Sequence, residues 1–341
     1  MTTTAAASTA APVSAATAAV FISGAIGDNA VHMGLIKRLA LRHGPLVLIN
    51  YLADDVNAMF AEQPCLARVI SIRSTLGPDR PRRTALTREL LESLALQHVY
   101  HVNFETFFAL AAWRAGIPNR YAYLPRRAFI RLPMFSHHAF VPDRTPHPRS
   151  LYWMQTVLER HGFDYAPVWP NLEPSPAFVA DARALTAGRP RWVTLGMSSS
   201  VAVRQWGGTR FATVARAIQS HHPDIGFILF GHRDVAAVAT EFLSQMPADT
   251  VVVNLPAIGP DLRLSLALLA ESSLYVGNDS SGMNLAAAIG IPTIGLFGFR
   301  SLSAFCEHLK PVYATPPESG MANIDVAEVA ALSLKLLAAP H

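Results

Sequence analysis

Three stretches of this 341-residue chain combine residue types and spacing that could hold an anion or move a proton. The most informative runs Val276-Gly277-Asn278-Asp279-Ser280-Ser281-Gly282-Met283-Asn284-Leu285-Ala286-Ala287-Ala288-Ile289-Gly290-Ile291-Pro292. A strand-like apolar run ends, a polar glycine-containing turn follows, and a small-residue helix begins. The first amides of a helix lack intrahelical acceptors and sit at the positive end of its dipole. Such a turn suits a phosphate, with the Ser280 and Ser281 hydroxyls as further donors. The alanines and Gly290 would let the helix lie close on a sheet. Asp-Ser-Ser is also a good N-capping series that needs no ligand, so the turn alone leaves both readings open.

The second stretch is Ile26-Gly27-Asp28, after the first apolar run. Asp28 either caps the following helix or offers a carboxylate at a cleft edge, where it could act as a general base. Gly24-Ala25-Ile26-Gly27 has the wrong spacing for a dinucleotide fingerprint. The third stretch, Ser198-Ser199-Ser200-Val201-Ala202-Val203-Arg204-Gln205-Trp206, contains one cation. Arg204 could grip a diphosphate bidentately, or it could be a surface arginine beside a packed Trp206. Histidines add little: His137-His138 and His221-His222 are adjacent pairs without the i, i+4 spacing of a helical metal site. There is no hydrolase elbow, no P-loop and no D-x-D pair to clamp a metal diphosphate.

The elements that must position these residues follow from hydrophobic period. Ala19–Ser23 and Leu46–Tyr51 are buried-strand runs around a helix-period stretch, Val31–Ala40. Val99–Val102 and a helix over Phe104–Arg114 continue the alternation. Strands apolar along their whole length imply a parallel sheet covered on both faces. Between Pro118 and Pro148 aromatics, arginines and prolines (Pro118, Pro125, Pro133, Pro142, Pro146) mix without period, which predicts a long ordered loop. A helix over Arg149–His161 precedes the proline-dense Ala166–Pro176. A second series predicts strands at Trp192–Gly196, Gly226–Gly231, Thr250–Leu255, Ser273–Gly277 and Thr293–Gly298. Its helices are one capped by Thr209, then Asp234–Met246, Arg263–Ala270 and Met283–Ile289. The reading is an α/β chain: a disordered tail over 1–19, a Rossmann-like domain over 20–165, a linker over 166–190 and a second Rossmann-like domain over 191–341. Two doubly wound domains facing each other put ligands at the carboxyl ends of their strands, in the cleft.

Composition bounds the rest. Hydrophobic residues make up 51% and charged ones 15%, a core-forming balance, and no run reaches the length of a membrane span. Two cysteines are too few for a disulfide framework, so a reducing cytosol is expected. The net charge of +4 is uneven: between Asp79 and Ser150 eleven arginines face five carboxylates. That sector favours an anionic partner, although a composition with only three lysines also accounts for it.

Taken together, these stretches resemble the ADP-heptose lipopolysaccharide heptosyltransferases of glycosyltransferase family 9. The resemblance rests on Ile26-Gly27-Asp28, Ala115-Gly116-Ile117-Pro118-Asn119-Arg120, Arg204-Gln205-Trp206, Asn254-Leu255, Asn278–Ala288 and Leu296-Phe297-Gly298. It implies the GT-B fold, with acceptor in the first half, nucleotide sugar in the second, and no metal or other cofactor. By position it implies that Asp28 deprotonates the acceptor hydroxyl and Arg204 binds phosphate. Asp279 would touch the donor sugar, and the amides of Ser280, Ser281 and Gly282 its diphosphate. Asp234 is a ribose candidate. Asn284 also falls on the donor side, where the family usually has a histidine; the family usually has a lysine in place of Arg204.

An inverting displacement is implied, with heptose moving from ADP to a glycan such as lipopolysaccharide core. Arg120, Arg126, Arg127 and Arg131 would hold an anionic glycan or glycolipid acceptor. Peripheral contact with the cytoplasmic face of the inner membrane is compatible with the same charge, and nucleic acid is not expected. The alternative of another class is a catalytically weakened or non-catalytic binder of the same fold, which has no need of a carboxylate at Asp28. A phosphorylase would need a cofactor lysine, and no lysine lies between Lys37 and Lys310.

Overall fold

The structure, a computed structural model, describes residues 16–73, 82–103, 105–141, 150–163, 170–199, 201–259, 261–299 and 308–339. The apolar runs become two six-stranded sheets. The first contains β1 (Ala18–Ile22), β2 (Leu46–Asn50), β3 (Leu66–Ser71), β4 (His98–His101), β5 (Asn119–Pro125) and β6 (His137–Val141), in the order β3-β2-β1-β4-β5-β6. The second contains β7 (Arg191–Gly196), β8 (Ile225–Phe230), β9 (Val252–Asn254), β10 (Leu274–Asn278), β11 (Thr293–Phe297) and β12 (Leu309–Tyr313), in the order β12-β11-β10-β7-β8-β9. All pairs are parallel, with Val20 between Leu48 and Tyr100, and Leu195 between Leu229 and Val276.

Each chain segment therefore winds outward from its first strand and then crosses to the other side. The order reverses between β1 and β4 in one sheet and between β7 and β10 in the other. These are the switch points where crevices open at the carboxyl ends of the strands. Asp28 follows β1, Arg204 follows β7 and Asp279 follows β10, so topology alone gathers the three stretches at two crevices.

Every residue of β1, β2, β8, β10 and β11 is buried, as strands covered on both faces require. Phe21 stacks on Phe108 at 3.8 Å in the first core, and Trp206 meets Phe211 edge-on at 5.1 Å in the second. The segment between the sheets is tied to both. Gln63 exchanges two hydrogen bonds with the Glu173 backbone, Lys37 Nζ donates to the Asn171 carbonyl, and the Leu172 amide donates to the Ala288 carbonyl.

Several expectations are corrected. β1 starts at Ala18, inside the segment read as a disordered tail, because Ala18 and Ala19 are small enough to fill the sheet core. Residues 118–148 are not one long loop. β5 and β6 run through them, joined by a 3₁₀ helix over Arg126–Met134. Pro125 ends a strand and Pro133 lies in the 3₁₀ helix, so neither interrupts a ladder. The linker span includes a helix, Pro176–Thr186, opened by a proline in its first turn where no amide partner is needed. Thr209 does not cap its helix. Gly207, at φ +98°, precedes the Gly208–His221 helix, and Glu241 from the Ala236–Ser244 helix accepts the Gly208 amide at 2.9 Å and the Thr209 hydroxyl at 2.6 Å. β12 and a last helix, Val326–Ala338, had no counterpart in the reading. Residues 1–15, Phe104, 142–149, 166–169 and Ser200 of the segments discussed lie outside the described residues. Among the described residues no helix is long and apolar enough to cross a membrane.

A histidine cluster sits at the opposite, amino edge of the first sheet. The His43 ring lies tilted 4.4 Å from His98, Tyr121 stacks at 4.3 Å on His137, and His161 meets His137 edge-on at 4.9 Å. Burial pushes His43 down to about 4 from its ordinary 6.5, with the His98 and Arg42 charges adding to it. Burial likewise lowers His98, His137 and His138. Below pH 6.5 the unfolded chain therefore binds protons that the folded chain refuses. The contribution to stability is whole above the unfolded value and is lost as pH falls from about 6.5 toward 4. The midpoint of urea unfolding should decline steadily from pH 7 to pH 5, and His43→Gln should decline less. A level midpoint over that interval would contradict the cluster's depressed basicity.

Candidate active site

Asp28 is the third residue of a short helix, Ile26–Val31, followed after His32 by a second helix, Met33–His43. Its Oδ2 accepts the Ala25 amide at 2.8 Å, closing the helix start, while the side chain stays exposed. Gly24 makes this possible, since a Cβ there would stand 2.4 Å from Asp28 Cβ and Oδ2. The capping reading of Asp28 is thus correct, and it leaves the carboxylate accessible at the β1 crevice. Two polar groups hold the loop from below. Asn103 Oδ1 accepts the Ser23 amide at 3.3 Å, and buried Asn29 donates to the Ala25 carbonyl at 2.9 Å. Asn29 in turn accepts from Asn50, which exchanges bonds with Asn57 at 2.8 and 3.0 Å. Buried amides kept in mutual satisfaction rigidify what they support.

The second crevice is built around Asn278, the last residue of β10 and fully buried. Its Nδ2 donates to the Met197 carbonyl at 2.8 Å and its Oδ1 accepts the Trp206 amide at 3.1 Å. One side chain thus fixes both ends of the loop that carries Arg204. Arg204 ends a 3₁₀ turn over Ala202–Arg204, and its Nη1 lies 3.2 Å from Asp279 Oδ2. Ser280 is the extended N-cap of the Ser281–Ile289 helix, and its hydroxyl makes no capping bond. The turn therefore presents free first-turn amides at a dipole end, two serine hydroxyls and a guanidinium already paired with Asp279. Donors arranged in this way suit an anion. Gly282 lets the helix settle: a Cβ there would lie 2.8 Å from the Phe230 ring.

The two crevices meet. The Ile26–Val31 helix packs against the Ser281–Ile289 helix, and a Cβ on Gly27 would stand 2.4 Å from Asn284 Nδ2. Asn284, expected on the donor side, lies at the contact between the halves, against Gly27, the neighbour of Asp28. Its Oδ1 is buried with no hydrogen-bond partner. Arg263 reaches from the second half to Glu62 of the first at 3.6 Å.

The other expected residues are more scattered. Asp234 is exposed in a 3₁₀ turn after β8, one strand further from the switch point than Arg204. Arg120 donates from Nε to the Met134 carbonyl at 2.7 Å and from Nη1 to the Ile117 and Pro118 carbonyls. Its guanidinium closes the β5–β6 connection, a use that the aromatic and arginine-rich sequence around it concealed. Arg126, Arg127 and Arg131 lie in the 3₁₀ helix after β5, at the same carboxyl edge as Asp28. Part of the basic sector serves the fold: Arg83 sits 4.0 Å over the Phe107 ring and Arg88 pairs with Glu92 at 3.0 Å. Asn278 and the Asn29–Asn50–Asn57 cluster went unassigned from sequence. The available signal was an asparagine closing an otherwise apolar strand, seen at both Asn50 and Asn278. Among the described residues, no group of three or more His, Cys, Asp or Glu is arranged to hold a metal ion.

Comparison with known proteins places this geometry in context. The model of glycosyltransferase family 9 (heptosyltransferase) matches residues 102–306, more than half of the chain. A family 9 glycosyl transferase from Veillonella parvula DSM 2008 superposes with a TM-score of 0.77 at 16% identity, over 94% of this chain and 96% of that one. The E. coli ADP-heptose lps heptosyltransferase II gives 0.71 at 17% identity, over 94% and 98%. The E. coli heptosyltransferase WaaC, solved with ADP, gives 0.68 at 12% identity, over 93% and 97%. These likenesses establish the two-domain fold. No curated protein matches the chain.

Proposed function

The chain belongs to glycosyltransferase family 9 and is a glycosyltransferase, and we propose that it transfers heptose from ADP-heptose to a glycan acceptor of the lipopolysaccharide-core type, with inversion and without a metal. The observation that supports this reading is one arrangement. Arg204, Asp279 and the open start of the Ser281–Ile289 helix share the β7/β10 crevice, and Asp28 stands across the contact between the halves.

In the proposed reaction the acceptor oxygen attacks the anomeric carbon as its proton passes to the Asp28 carboxylate. The bond from that carbon to the diphosphate breaks, and its electron pair leaves with the diphosphate. Arg204 and the amides of Ser281 and Gly282 then meet the charge that develops. Asp279 takes a donor-sugar hydroxyl, and Asp234 is assigned to the ribose. Arg126, Arg127 and Arg131 are assigned to the anionic acceptor; Arg120 is a weaker choice because its guanidinium is committed to three carbonyls. Contact with the cytoplasmic face of the inner membrane would follow from the same charge.

A panel of ADP-, UDP-, GDP- and dTDP-sugars tests the donor. A ligand that binds only the native state at a hundredfold its Kd adds about 2.7 kcal/mol to stability. The ADP-sugars should raise the melting temperature most, and the product of a successful transfer should have the anomeric configuration opposite to the donor. A melting point indifferent to every sugar nucleotide would reject the reading, and a retained configuration would reject inversion.

A further inference from the structure

The hydroxyl of Tyr275, on β10 beneath the second crevice, is not explained by packing. The side chain is completely buried, and its hydroxyl has no hydrogen bond of ordinary geometry. Three glycines make room for that one oxygen. A Cβ on Gly196 would stand 1.7 Å from it, one on Gly277 2.6 Å, and one on Gly282 2.9 Å. Gly196 and Gly277 are neighbours across the β7–β10 ladder, and Gly282 is in the first turn of the Ser281–Ile289 helix. The oxygen therefore occupies a notch beneath the turn that carries Asp279 and Ser280.

A phenylalanine would fill the same space without burying an unmatched donor, so the hydroxyl calls for a partner. Ser280 is the available one. Its side chain makes no capping bond, and it is the hydroxyl that the Tyr275 phenol meets. A serine hydroxyl can accept one hydrogen bond and donate another. A chain from phenol to serine to an anionic oxygen would be polarised in one direction, each bond strengthening the next.

We propose that Tyr275 is a positioning residue for the donor site: with a diphosphate in the turn, its O–H donates to Ser280 Oγ and aims the serine proton at a diphosphate oxygen. The inference rests on the reading of that turn as the diphosphate site. It adds a residue that would touch no substrate and would act only through Ser280.

Calorimetric titration of the full chain with ADP, as the nucleoside diphosphate, distinguishes the possibilities. Tyr275→Phe should weaken ADP binding about threefold to tenfold, the range of one neutral hydrogen bond. Its melting temperature without ligand should hold or rise, because an unmatched buried hydroxyl is gone. Ser280→Ala, which leaves the core untouched, should lose at least as much affinity by itself. In the Ser280→Ala background Tyr275→Phe should cost nothing more. A merely structural tyrosine would move stability and leave this coupling at zero. ADP affinity unchanged in Tyr275→Phe, or an equal loss with and without Ser280, would overturn the proposal. A wild-type chain that binds no ADP would overturn the diphosphate reading itself, and the hydroxyl chain with it.

Discussion

Replacing Asp28 with asparagine should lower turnover by roughly 10²–10⁴ while leaving nucleotide affinity and melting temperature close to those of the parent. The choice of asparagine matters because Asp28 has two roles in the geometry. Its Oδ2 accepts the Ala25 amide, and the side chain stays exposed one residue from Gly27, which packs on Asn284 of the other half. An asparagine oxygen can accept the same amide, so the helix start survives, but a neutral amide cannot take the acceptor's proton. Asp28→Ala removes both functions and should also lose about 0.5–2 kcal/mol of stability, the scale of a helix cap. Steady-state transfer assays beside ADP titrations separate the effects. Full turnover by Asp28→Asn would leave Asp28 as a cap alone and would assign the acceptor's proton to another base.

The parts of this molecule that could be read from sequence are those where local pattern and final environment agree. Val20-Phe21-Ile22 and Leu46–Ile49 are apolar throughout because both faces of their strands are covered, and the same holds for Ile225–Phe230 and Thr293–Phe297. The turn at Asn278–Gly282 was visible because a strand, a polar break and an alanine-rich helix follow one another within a few residues. What escaped was set by tertiary partners. β5 and β6 read as a loop because Tyr121, His137 and Arg120 are polar or aromatic residues whose environment is supplied by neighbours on the sheet. The cap of the Gly208–His221 helix comes from Glu241, more than thirty residues away, so no local series announced it. Arg120 looked like a ligand for an anion because a sequence gives its charge and not the carbonyls that occupy it. Tyr275 lies in a run that reads as simple strand and Asn278 in the polar turn after it, and their roles depend on the two loops and three glycines that converge there.

Arg204→Ala should weaken binding of a nucleoside diphosphate by about 1.5–3 kcal/mol, roughly tenfold to a hundredfold, as expected for losing a hydrogen bond to a charged group. Stability should barely change. The Arg204 side chain is 45% exposed, and an ion pair so open to water contributes about 0–1 kcal/mol to folding. Its pairing with Asp279 makes a sharper test available. If Arg204 mainly shields the diphosphate from the Asp279 carboxylate, Asp279→Asn should restore most of the affinity lost in Arg204→Ala. If Arg204 grips the diphosphate itself, the double variant should remain weak. Arg204→Lys keeps the charge but replaces a planar fork with a point charge, so its affinity should fall between the two. The loop that carries Arg204 is held at both ends by Asn278, independently of the guanidinium, so these substitutions leave the loop in place. An ADP affinity equal to the parent in Arg204→Ala, measured by calorimetry, would remove the guanidinium from the donor site and leave the helix amides as its principal anion donors.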